Sequence, residues 1–222
     1  MHFHGPKLST CKATGSGAEL YIVEGDSAAS TVAQVRDPAF QALFAMQGKP
    51  MNAYKNSLHQ LRANKQFAAL IRALGVRLDE NGPPAGQGVT HPRYGKIILL
   101  FDPDADGIHA RTLMLFFFHR WLPAWLSAGR IFDCHAPQWE ITWRGMAQAA
   151  YAPTPEHMRL IRDDLDSQGA QDLKWKRYRG LGSMPGELVR ERCVSPSTRE
   201  LQTLSPAHAS QAQAMFAALR GE

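Results

Sequence analysis

Lys96-Ile97-Ile98-Leu99-Leu100-Phe101-Asp102-Pro103-Asp104-Ala105-Asp106-Gly107 decides the reading of this 222-residue chain. An apolar run stops at three carboxylates spaced two apart, and a glycine then opens a long segment rich in apolar residues. A continuously apolar run of this length is the pattern of a parallel strand buried on both faces. Acids at its C-terminal end stand where open α/β sheets bind their ligands. Leu20-Tyr21-Ile22-Val23-Glu24-Gly25-Asp26-Ser27 repeats the construction, and the two strand ends are expected to meet.

Outward from these stretches, strands and helices alternate, which predicts an α/β fold with a mainly parallel sheet flanked by helices. After Val23 a helix is expected from about Ser27, capped by Asp26 or Ser27. Residues 39–46 lead into the loop Gly48-Lys49-Pro50-Met51-Asn52. Leu58 to Leu74 carries apolar residues at helical spacing and stops at Gly75, so one helix is expected there. Residues 79–92, rich in Gly and Pro, read as a mobile surface loop. A helix follows from about Gly107 to Ser127, with Pro123 kinking or splitting its last turns.

Arg130 to Ala136 and Gln138 to Trp143 read as strands, and Pro155 to Ser167 as an amphipathic helix. Asp172 to Tyr178 is a basic and aromatic strand running into Arg179-Gly180-Leu181-Gly182. Pro185 to Arg192 and Ser205 to Leu219 are expected helices, the second capped by Ser205 with Pro206 at its first position. Residues 1–19 form a lead-in without periodicity, 20–144 the α/β core, and 145–222 a C-terminal α+β tail region.

With 44% apolar residues the chain can build a proper core. A formal charge of +5 favours a polyanionic partner only modestly. Cys11, Cys134 and Cys193 lie far apart with no Cys-x-x-Cys pair, which suggests neither a disulfide framework nor a zinc site. Free thiols point to a reducing cytoplasm. The N-terminus has no apolar core of signal-peptide length, and the strongest apolar run, Leu113 to Phe118, is broken by His119-Arg120, so neither export nor a membrane partner is expected.

The three aspartates and Gly107 match the first half of an EF-hand calcium loop, but the twelfth loop position is Leu113 and a strand precedes the loop. A solvated acidic turn capping a helix is the bland alternative for any single aspartate. Three together repel one another and raise each other's pKa unless a cation compensates. Mg²⁺ suits oxygen ligands from one or two carboxylates plus water and substrate phosphate. Glu24, ending the other strand, would stand beside Asp102 and Asp104, leaving one carboxylate free for proton transfer. Lys174-Trp175-Lys176-Arg177-Tyr178-Arg179 interleaves cations and aromatics in a way that suits backbone contact and stacking on nucleic acid, with an exposed basic strand as the alternative.

Four ordered motifs resemble those of the TOPRIM region of the B subunit of bacterial type IIA topoisomerases, the gyrase and topoisomerase IV family. Glu24-Gly25-Asp26-Ser27-Ala28 resembles EGDSA, Gly48-Lys49-Pro50-Met51-Asn52 resembles GKxxN, Asp102 to Gly107 resembles DxDxDG, and Tyr178-Arg179-Gly180-Leu181-Gly182 resembles YKGLG. The resemblance implies a Rossmann-like TOPRIM fold and a Mg²⁺ site at Glu24, Asp102 and Asp104, with Asp106 helping a second metal position and Mn²⁺ or Ca²⁺ able to substitute in binding. It implies catalytic roles for Glu24, Asp102 and Asp104 in cleavage and religation of double-stranded DNA, Glu24 as general acid/base on the ribose 3′ oxygen. The attacking tyrosine would belong to a partner A subunit, and Lys49, Arg111, Lys176, Arg177 and Arg179 would face DNA. For Arg111, pairing with a nearby aspartate is the competing reading. The setting implied is a bacterial cytoplasm, in association with the nucleoid.

Departures from the family pattern are Ala29 and Ser30 for paired glycines, Ala33 for a lysine, Gln47 for a basic residue, Pro103 between the first two aspartates, and Ser183 for a glutamate. Fewer phosphate contacts imply weaker DNA binding with a flatter salt dependence. No ATPase region precedes the motifs in this sequence, so a truncated piece, half of a split subunit working with a separate GHKL-type ATPase, or a free-standing relative is expected. Two further readings compete: an independent metal-dependent nuclease, and a non-catalytic paralogue that binds DNA or protein.

Overall fold

The computed structural model describes residues 7–80 and 92–218. The chain opens with strand β1 (Lys7–Ser9), then β2 (Gly15–Glu24), helix α1 (Gly25–Val35) and β3 (Gln41–Met46). Helices α2 (Leu58–Ala63) and α3 (Lys65–Leu74) precede β4 (Tyr94–Leu99), which is followed by α4 (Ala105–Trp121), α5 (Pro123–Ser127) and β5 (Ile131–Asp133). The remainder comprises β6 (Trp139–Thr142), β7 (Ala150–Ala152), α6 (Pro155–Ser167), β8 (Lys174–Arg177), α7 (Gly186–Val189), β9 (Gln202–Thr203) and α8 (Pro206–Ala218).

Six strands form one sheet in the order β1-β3-β2-β4-β5-β9. Its four inner strands run parallel, and β1 and β9 join the two edges antiparallel. Alternation along β2 sends Leu20 and Ile22 to a core shared with α3, α4 and α5, and Tyr21 and Val23 to a second core with α1 and α7. Both faces are thus covered, the condition that makes β2 and β4 read as unbroken apolar runs. A second antiparallel sheet, β7-β6-β8, leaves all four residues of its edge strand β8 exposed. Among the described residues no helix is long and apolar enough to cross a membrane.

Several elements differ from the sequence reading, each for a local reason. The lead-in contains β1 and the first half of β2, where Gly15 and Gly17 interrupt the apolar pattern and a register shift between Gly15 and Glu19 marks a bulge. Helix α1 begins at Gly25, with Glu24 as its N-cap residue. Residues 41–46, which lead into the lysine loop, are the fully buried strand β3. The helix expected over 58–74 is two, because the Asn64 side chain accepts the backbone N–H groups of Gln66 and Phe67 and starts α3 afresh. Gly75, at φ 71°, ends that helix in the left-handed region. Pro123 splits α4 from α5, standing at the first position of the new helix. Most of the loop expected over 79–92 lies outside the described residues.

Candidate functional site

Three adjacent parallel strands, β3, β2 and β4, end on the same side of the sheet. Register pairs Glu24 with Met46 of β3, and Ile22 with Leu99 of β4, so Glu24 lies between the start of the lysine loop and the start of the aspartate loop. That convergence is a consequence of parallel pairing, since every crossover returns the chain to begin the next strand at the far end. Glu24 caps α1 by position only; its side chain makes no capping hydrogen bond and accepts none from any other described residue. Asp102 comes after Leu100 and Phe101, just past the end of β4, and its Oδ1 accepts the N–H of Leu181 at 2.8 Å. Asp104 is the N-cap of α4 and accepts the N–H of Gly107 at 2.8 Å. Asp106, in the first turn, pairs with Lys49 at 3.0 Å across an exposed surface.

The electrostatics are one-sided. Burial, followed by the charges of Asp102, Asp104 and Asp106, raises the Glu24 carboxyl above its usual range, with Lys49 opposing. Burial raises Asp102 as well; the Leu181 N–H pulls it down and the Asp104 charge pushes it up. These groups are acids short of counter-charge, and all their free donors are oxygen. Such a set suits a hard divalent cation that takes one or two carboxylates and completes its shell with water or phosphate. Among the described residues no three His, Cys, Asp or Glu side chains are gathered closely enough to hold an ion by themselves. Glu24, Asp102 and Asp104 could therefore hold Mg²⁺ only as an open site.

The basic residues divide into two kinds. Lys49 is tied to Asp106, and Arg111 donates from Nη1 to Oδ2 of Asp133 at 2.8 Å, with the His135 ring alongside. Asp133 is buried, so Arg111 serves a carboxylate of β5 before it can serve a ligand. Lys176 and Arg177 stand exposed on β8, their cations over the rings of Tyr178 and Trp139. Arg179 is exposed, and its guanidinium makes no hydrogen bond or ion pair with any described residue. Of the two readings of Arg111, the aspartate pair is the one present in this structure.

Several residues around the acids escape sequence reasoning. Asp26 is held by Lys7 and by Gln47, the latter at 2.9 Å, so the residue replacing a basic one touches the EGDSA-like motif. Gln138, on the approach to β6, donates to the Pro103 carbonyl at 3.2 Å and steadies the aspartate loop. Ser183, which stands for a glutamate, spends its hydroxyl inside its own turn, accepting from Arg179 N and donating to Gly180 O. Gly107 packs so closely on the Asp102 carbonyl that a Cβ there would collide with it. Gln47, Ser183 and Gly107 stand out in the sequence as motif positions, but the contacts they make, and the part played by Gln138, leave no trace there.

A doubly covered, mainly parallel sheet with acids at the ends of two neighbouring strands defines a class, and comparison with known families gives it a name. The Toprim domain family matches residues 19–132, and the chain belongs to that family. Over 216 residues it is 33% identical to the B subunit of the DNA gyrase of Thermotoga maritima, a match covering 97% of this chain and 32% of that protein. The corresponding gyrase protein of Treponema pallidum, also a B subunit, is 33% identical over 219 residues, covering 97% of this chain and 33% of the relative. The chain thus spans about a third of the length of the curated relatives it matches.

Proposed function

We propose that this chain is the Mg²⁺-binding Toprim module of a type IIA DNA topoisomerase, supporting cleavage and religation of double-stranded DNA by a tyrosine carried on a separate, gyrase A-like subunit. The observation that carries the reading is the uncompensated acid cluster: Glu24 and Asp102 are both pushed up by burial and by neighbouring carboxylates, at the ends of adjoining strands. When bound, the ion would supply electrostatic stabilisation to a phosphodiester and its leaving oxygen. Asp102 and Asp104 would hold it, with Asp106 near a second position, and Glu24, without a hydrogen bond to its side chain among the described residues, would hold or move the proton at the ribose 3′ oxygen. Lys176, Arg177 and Arg179 would track the DNA backbone; Lys49 and Arg111 would reach phosphate only by exchanging their present carboxylates.

Mixing the purified chain with a gyrase A-type subunit, Mg²⁺ and supercoiled DNA tests this. Expected are cleavage complexes with both proteins present, none with the chain alone, and none with Asp102→Ala. A chain that neither binds nor activates any such subunit defeats the proposal. The internal pairing of Lys49 and Arg111 favours a second reading, a non-catalytic paralogue that binds DNA or protein. It predicts that attachment to DNA or to the gyrase A-type protein survives Asp102→Ala, with no cleavage by wild type or variant. Mg²⁺-dependent nicking by the chain alone, lost in Glu24→Gln, would instead mark an independent nuclease.

A further inference from the structure

We propose that the turn Arg179–Ser183 is the positioning element of the acidic site, holding the Asp102 carboxylate in one orientation from a part of the chain outside the matched Toprim span. Leu181 N–H donates to Asp102 Oδ1 at 2.8 Å across 79 residues of sequence. The preceding Gly180 has φ 179°, extended backbone that any residue adopts. What calls for a glycine is space. A Cβ at Gly180 would lie 2.5 Å from Asp102 Oδ2, 2.7 Å from its Cγ and 2.9 Å from its Oδ1. All three atoms belong to one short carboxylate, which cannot swing aside without giving up the Leu181 N–H.

The turn is anchored well enough to impose this. Ser183 Oγ accepts from the N–H groups of Arg179 at 3.1 Å and Gly180 at 3.3 Å, and donates to the Gly180 carbonyl at 2.7 Å. Leu181 is fully buried in the core with α1 and α7, and Tyr178, just before the turn, is buried and donates its hydroxyl to Glu140. On the far side a Cβ at Gly182 would fall onto the Ser27 hydroxyl, so the turn is wedged between the openings of the two acidic motifs. It commits Oδ1 of Asp102 to the protein and fixes where Oδ2 points. It also carries Arg179, whose cation is unpaired among the described residues, at a set offset from that carboxylate. Mutating a group that orients a metal-ligating carboxylate typically costs about 10- to 100-fold in metal affinity.

The proposal deepens the metal-site reading, and its test separates the two. Four versions of the 222-residue chain are compared: wild type, Gly180→Ala, Asp102→Ala and the double variant. Without divalent metal, Gly180→Ala lowers the melting temperature by about 5 °C, whereas adding it to Asp102→Ala costs less than about 1 °C, because the colliding atoms are gone. Equal losses in the two backgrounds overturn the proposal. If Gly180→Ala does not fold, a folded double variant supports the proposal and an unfolded one overturns it. In calorimetric titration with Mn²⁺, Gly180→Ala binds about 10- to 100-fold more weakly than wild type; unchanged affinity overturns the positioning role. A wild type that takes up no Mn²⁺ refutes the metal reading alone, and the thermal cycle then decides the clamp.

Discussion

Two glutamates of one strand, Glu19 and Glu24 of β2, meet opposite treatment. Glu19 is buried, which pushes its carboxyl up, yet hydrogen bonds from Arg199 and Gln41 and the charges of Arg199 and Lys96 outweigh burial and hold it below its usual range. Both terminal guanidinium nitrogens of Arg199 donate to it, Nη1 at 2.7 Å, and Gln41 donates at 3.0 Å. Glu24, at the other end, faces three aspartates, with Lys49 alone in opposition among the described residues. The same fold that satisfies one carboxylate leaves the other in want of a cation. Compensated charge builds the molecule here; uncompensated charge is what it offers to a ligand.

Breaking the compensated end should have the largest effect. Arg199 links the segment after α7 to β2, touching Glu19, the Tyr21 hydroxyl and the Val194 carbonyl. Arg199→Met leaves Glu19 buried without its main partner, at a cost of about 3–5 kcal/mol, or a melting temperature lower by on the order of 10 °C. Mg²⁺ should not restore it. A variant as stable as wild type would mean that the pair only balances its own desolvation and is not a structural lock. The uncompensated end should respond in the other sense. At Mg²⁺ about 100-fold above its Kd, wild type gains about 2.7 kcal/mol in urea unfolding, while Asp102→Ala gains nothing. Equal gains in both proteins would move the ion elsewhere and dissolve the contrast.

Acid titration sharpens the comparison with smaller effects of opposite sign. Because the folded-state pKa of Glu19 is depressed, its contribution is complete above its usual value of 4.5 and is lost as pH falls through the depressed value. For Glu24 the folded-state pKa is raised, so ionisation costs stability at neutral pH, and that cost disappears as pH falls through the raised value toward 4.5. In metal-free unfolding, Glu24→Gln should therefore exceed wild type by on the order of 0.5 kcal/mol at about pH 7 and converge with it by about pH 4. A difference that grows on acidification would reverse the sign argued for Glu24.

The sequence made the uncompensated end more legible than the compensated one, and the reason is range. Glu24 and Asp102 to Asp106 sit in contiguous motifs that end apolar runs, so strand, acid and helix start can be read together. Glu19 and Arg199 are separated by 180 residues, with no local pattern to join them. The Leu181 N–H on Asp102 is a backbone donor, and nothing but the glycines around it hints at the contact. Among elements, α6 declared itself by period and by Pro155 at its start, and α4 by the glycine that follows the acids and the long apolar segment behind it. Strand β3 did not, because Ala, Leu and Met favour helices and only its neighbours on both sides make it a strand. Strands β7 and β9, of 3 and 2 residues, are too short to carry a period.

The same rule, applied to cations, gives the smallest effect and the most direct check on DNA. Arg179 and Arg111 are both arginines near Asp102, but Arg111 is spent on buried Asp133 and Arg179 on nothing described. A phosphate contact releases about 0.9 counterion, so Arg179→Ala should flatten the slope of log K against log salt by about 1 in duplex-binding titrations. Arg111→Ala should leave that slope in place and instead cost about 1 kcal/mol of stability, since among the described residues Asp133 would keep His135 as its charged neighbour. The outcome that breaks the rule is the reverse, a flattened slope for Arg111→Ala and an unchanged one for Arg179→Ala. Arg111 would then exchange Asp133 for phosphate on binding, and a paired charge would be part of what this protein presents to DNA.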